Sequence, residues 1–144
     1  MIQLEGPTRF AADGVAANAD PVTGITTVLF RWRTQVIRPE PTWDDASPDP
    51  ELGRDENEVE ITFKNTDAAT SFAELLLAAK IAGDTSAYFA AARRDEAISA
   101  TNKLYSATIL LTGAELGGKA GQENTTRLVF PCGAIGAVAV DPII

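Results

Sequence analysis

The stretch from Leu104 to Val140, LYSATILLTGAELGGKAGQENTTRLVFPCGAIGAVAV, constrains the fold more than any other, because its hydrophobic period is two. Tyr105, Ala107, Ile109 and Leu111 alternate with Ser106, Thr108, Leu110 and Thr112. After a polar break, Arg127 to Phe130 resumes an apolar run rich in residues that suit a pleated surface. This pattern predicts two strands joined as a hairpin by a long connection. The break contains Gly113, Gly117, Gly118 and Gly121, which permit turns and bulges where φ is positive. No strand-then-helix phosphate loop follows them, so a connection is expected rather than a ligand cradle.

The same period recurs upstream. Val59, Ile61 and Phe63 alternate with Glu60, Thr62 and Lys64, the clearest half-buried strand in the chain. Between Val22 and Ile37, Val28, Phe30, Trp32 and Val36 share one face of an extended segment, and Thr27, Arg31, Arg33 and Gln35 share the other. Arg31 and Arg33 are thereby placed to meet acidic groups on a neighbouring strand or subunit, or to form a solvated face. Thr85 to Ala92 mixes helix-favouring alanines with Tyr88 and Phe89, and a strand is the preferred reading. Arg93 to Glu96 and Ser99 to Lys103 read as a charged, solvated turn into the last strands.

One helix breaks this succession, expected over residues 67–82. Asn65, Thr66 or Asp67 can cap it, Ser71 and Glu74 have capping-box spacing if the regular helix starts later, Phe72, Leu75, Leu76 and Ala79 form an apolar stripe, and Gly83 is a stop signal. Strands around a single helix predict a mainly β fold, a sandwich or barrel flanked by an α-helix. At 144 residues the chain has the length of a single domain. Its expected core includes Phe30, Trp32, Ile61, Phe63, Phe72, Leu75, Leu76, Ile109, Leu111 and Phe130.

Two segments lack this patterning. Residues 1–20 are rich in alanine and small polar residues and read as a flexible arm, with a short strand at Ile2 to Leu4. Residues 38–58 carry Pro39, Pro41, Pro48 and Pro50, with eight acids against Arg38 and Arg54, which places −6 of the total −8 charge in one long loop. Structureless loops of that length are uncommon in compact domains and usually functional. Trp43 and Leu52 are its only large apolar residues, natural anchors if another chain orders it.

The chemistry these residues offer is narrow. The chain has no histidine, and Cys132 is its only cysteine, so an internal disulfide and a Cys/His zinc site are impossible. Between Pro131 and Gly133, Cys132 reads as a small buried hydrophobe. An EF-hand fails because Pro50 stands where the loop needs glycine. No metal, cofactor or catalytic residue is therefore assigned, although Asp44, Asp45, Asp49 and Glu51 supply the carboxylates that an acid/base enzyme would need. The acidic balance opposes binding to nucleic-acid phosphates. No apolar run is long enough to cross a bilayer, and no secretion signal is expected.

The order of elements from Thr66 to Val140, a short helix, a glycine turn, a strand, a polar connection and the final strands, resembles the C-terminal half of major tail tube proteins of long-tailed bacteriophages. Ala107, Ile109, Glu115, Gly117, Gly121, Phe130 and Gly133 carry the resemblance. It implies a helix-flanked β-sandwich or barrel that closes into hexameric rings and stacks into a tube, pairing with itself and with other tail proteins in the virion. DNA would be a passing, electrostatically repelled cargo. A long loop between early strands typically bridges adjacent rings in that family, and residues 38–58 match its position, with Arg31, Arg33, Trp43, Leu52 and Arg54 as interface candidates. The proline-dense, acidic character of this loop departs from the family. A capsid cement or decoration protein is the alternative.

Overall fold

The computed structural model describes residues 2–4, 6–115 and 124–142. The fold is mainly β with one α-helix among the described residues. In chain order the elements are β1 (Ile2–Leu4), β2 (Thr8–Ala11), a 3-10 turn (Ala16–Asn18), β3 (Asp20–Pro21), β4 (Ile25–Arg31), β5 (Thr34–Ile37) and β6 (Glu51–Asp55). Then come β7 (Glu58–Lys64), α1 (Phe72–Ile81), β8 (Ser86–Ala92), β9 (Leu104–Leu110), β10 (Thr125–Pro131) and β11 (Gly136–Val138). Two sheets, ordered β1-β4-β7-β10 and β11-β9-β8-β2-β3, enclose the core, and β5 and β6 form a separate two-stranded ribbon.

Strand β7 occupies the middle of the first sheet because both its flanks offer matching apolar rows. Val59, Ile61 and Phe63 point inward and are buried, and they align with Phe30 and Val28 on β4 and with Phe130, Leu128 and Thr126 on β10. In β8 the alanines serve both faces. Ala87, Phe89 and Ala91 join the main core, while Tyr88, Ala90 and Ala92 form a second small cluster with Ala11, Ala19 and Leu104 on the outer side. Small side chains let residues 93–103 lie close over this face. Buried Asn102 pins that segment, accepting from the Arg94 amide and donating to the Arg94 and Glu96 carbonyls.

The helix begins later than expected. Residues 67–70 stay outside it because Thr23 holds that segment: its amide donates to the Thr70 carbonyl and its carbonyl accepts from Phe72. Ser71 caps the first turn by accepting from the Glu74 amide at 3.3 Å, and Gly83, at φ 85°, closes the last. Phe72 lies against Phe10, Phe63, Phe89 and Phe130 in edge-on contacts with centroid distances from 5.0 to 6.3 Å. It thus ties the helix to both sheets. Leu76 and Ala79 are buried beside it, and Leu75 is half-buried against the same core.

Several expectations need correction. The strands within Leu104 to Val140 are not a hairpin: β9 pairs with β8 and β11, whereas β10 pairs with β7 in the opposite sheet. Their inward rows, Ala107 and Ile109 on one and Phe130 on the other, can then contribute from opposite walls of one core. Among the described residues, an isolated bridge between Ile109 and Cys132, just past the end of β10, links the two segments. Gly117, Gly118 and Gly121 lie outside the described residues.

Residues 1–20 are no flexible arm either, since β1 pairs with β4 and β2 with β8, so the segment joins both sheets. Gly6 makes the crossing possible: a Cβ there would stand 2.4 Å from the Arg94 carbonyl oxygen and 2.5 Å from that of Ala92. The segment Val22 to Ile37 breaks after Arg31, where Asn57 Oδ1 takes the Arg33 amide at 3.1 Å. Trp32 is consequently 47% exposed and is not a core residue, and Val36 is exposed as well. The long loop of 38–58 is shorter than expected, because β6 and the start of β7 occupy its second half.

Candidate interaction surface

The central strands β4 and β7 continue past the sandwich as β5 and β6, with β1 and β10 left behind. The resulting arm, residues 34–55, is joined through Thr34–Asp55, Val36–Leu52 and Ile37–Glu51 pairs. At its root the Glu56 amide donates to the Arg33 carbonyl at 2.8 Å, and Asn57 Nδ2 donates to the Gly133 carbonyl at 3.1 Å. An isolated two-stranded ribbon is only marginally stable in water. This one also exposes Val36, Ile37 and Leu52, the last at 78%, and carries a fully exposed Trp43 in the connecting loop. Its tip is ordered locally by Thr42, whose Oγ1 accepts the Asp45 amide, and by Asp45, which accepts the Ser47 amide.

Beside the arm's root lies the mouth of the sandwich. Phe30, Trp32 and Tyr105 meet there, with the Trp32 and Tyr105 rings 6.4 Å apart at 81°. The Arg93 guanidinium sits 5.6 Å from the Tyr105 ring centroid.

The outer face of the first sheet carries an ion network. Arg31 reaches Glu58 and Glu60, each at 3.3 Å; Arg33 reaches Glu58 at 3.0 Å; and Arg127 Nε lies 3.1 Å from Glu60 Oε1. The Arg127 contact is an ion pair without hydrogen-bond alignment, so Glu60 Oε1, in a residue only 4% exposed, accepts no hydrogen bond. Of the five interface candidates, Arg31 and Arg33 are thus engaged within the chain. Trp43, Leu52 and Arg54 are exposed along the arm. Asp44, Asp45, Asp49 and Glu51 are all exposed on the arm too.

Sequence reasoning missed Glu60, Arg127, Tyr105 and Arg93. A signal existed for Glu60, since period two puts it beside Glu58 on the face opposite Ile61; for Arg127 the pairing of β7 with β10 had to be known first. Cys132 is half-buried, and burial, followed by the charge of Glu58, pushes its thiol up to about 11.

No known family model matches the chain, and no curated protein sequence matches it.

Proposed function

We propose that this chain is a structural, self-assembling virion protein, a tail tube subunit that closes into hexameric rings stacked as a conduit for phage DNA. The observation that carries the reading is the arm, which holds four large apolar side chains in water on a two-stranded ribbon. Such a ribbon gains stability when a neighbour covers its unpaired edges and apolar side chains. The order of elements after Thr66 supports the same reading through its resemblance to tail tube proteins. A net charge of −8, concentrated on and next to the arm, suits a passage that DNA must traverse without sticking.

Negative-stain microscopy combined with sedimentation tests the reading. Sixfold rings or tubes at high protein concentration are the expected result, threefold particles would favour the capsid decoration alternative, and a strict monomer would overturn self-assembly.

A further inference from the structure

We infer that the Trp32–Tyr105–Arg93 corner of each copy receives the Trp43-bearing arm tip of another copy; this rests on the self-assembly reading above. Three observations converge on that pairing.

Both partners are unsatisfied aromatics. Trp43 is fully exposed, and Trp32, although in contact with Phe30 and Tyr105, leaves 47% of its surface in water. Tryptophans at the centre of an interface are the residues most often found to dominate binding, because they remove a large apolar area while losing few rotamers.

The charges are complementary. The tip loop, residues 38–50, carries Glu40, Asp44, Asp45 and Asp49 against Arg38, and all five are exposed. The corner presents Arg93, which is exposed, and the next residue, Arg94, is exposed as well. Of the acids that follow them, Asp95 lines a separate cleft with Gly6, Pro7 and Val22, and Glu96 is exposed beside the arginines. A carboxylate of Asp44 or Asp45 arriving with Trp43 meets a guanidinium already oriented over Tyr105.

The geometry excludes self-docking. The ribbon departs from Arg33 and Asn57, next to Trp32, and its β5–β6 pairing carries the tip away from its own root. A chain's tip can reach its own corner only by losing that pairing. Tip-to-corner contact between copies is head-to-tail, and repetition of such a contact closes into a ring or propagates as a filament.

The chain contains only two tryptophans, one on each side of the inferred contact, so their fluorescence reads the two sides separately. Trp32→Phe and Trp43→Phe variants of the full chain are concentrated through the assembly transition, which sedimentation follows in parallel. The remaining tryptophan of each variant is expected to shift to shorter wavelength and to become protected from acrylamide as assembly proceeds. Trp43→Ala is expected to raise the concentration at half-assembly roughly 30-fold, without changing the monomer's melting. Arg93→Asp should raise it roughly tenfold, and adding Asp44→Arg in the same chain should restore it to within about threefold. Protection of Trp43 without protection of Trp32 would overturn the corner as receptor. Assembly unaffected by Trp43→Ala would overturn the inference while leaving self-assembly standing, whereas a wild-type chain that stays monomeric would overturn both.

Discussion

Strands β4 and β7 inside the sandwich and their continuation as β5 and β6 outside it are the same antiparallel pair in two environments. Inside, β1 and β10 cover the flanks and the second sheet covers one face, so Val28, Phe30, Val59 and Ile61 are buried. Outside, Val36, Ile37 and Leu52 sit on comparable backbone and remain in water. Local pairing is similar in the two halves; what differs is the supply of neighbours. Stability resides in the body, and the arm keeps its apolar side chains uncovered by the rest of the described chain.

The sharpest way to break this contrast is Leu76→Asp. A carboxylate placed among the buried Phe72, Ala79 and sheet residues has no partner, and the expected loss exceeds about 4 kcal/mol, enough to abolish a cooperative thermal transition by circular dichroism. A folded, stable Leu76→Asp protein would show that the helix stripe is not core.

Next in size is the ion network at the boundary. Arg31→Ala leaves the carboxylate of Glu60, 6% exposed at its side chain, with Arg127 as its remaining cation among the described residues, and about 2 kcal/mol of stability should be lost in a urea titration. Arg33→Ala, which removes a side chain 59% exposed, should cost under about 1 kcal/mol. Equal losses would show that the network is one unit, not a buried pair with an exposed appendage.

Shortening the arm comes third. Replacing residues 35–54 by an Asn-Gly turn between the paired Thr34 and Asp55 should change stability by less than about 1 kcal/mol while abolishing assembly, as read by melting and sedimentation. Loss of folding would mean that the arm belongs to the body's cooperative unit.

The smallest effect concerns Cys132, at the bridge joining β10 to β9. With its thiol pushed up to about 11, alkylation by iodoacetamide in the folded chain should stay slow through pH 9 and accelerate toward pH 11. The sign follows from burial, which favours the neutral thiol; any stability linked to it is present below the unfolded-state value and lost as pH climbs toward 11. Rapid alkylation at pH 8 would show that this boundary opens readily.

Much of the body was readable because its signals are local. The spacing of Ser71 and Glu74 is one of the caps the sequence offers, and the alternation in β7 marks its inward row. Even the alanines of β8 made sense once two faces needed covering. From sequence the second half of the arm looks like loop, since Pro48, Pro50 and the acids around β6 hide a strand whose partner, β5, lies beyond the intervening loop. Tyr105 was legible as apolar, but its place beside Trp32 and Arg93 depends on where three separate segments end.

From sequence alone came the inward rows of β7 and β9, the existence of the helix and its apolar stripe, and the concentration of charge at 38–58. These follow from side chains a few residues apart, whose relative directions the backbone period dictates. Tertiary structure decided that β9 and β10 stand in opposite sheets, that Phe30 is buried while Trp32 two residues later is half in water, and that Glu60 is enclosed by arginines of two other strands. The reason is physical: a period specifies which side of a strand is apolar, but which strand covers that side depends on every other apolar row competing for the same core.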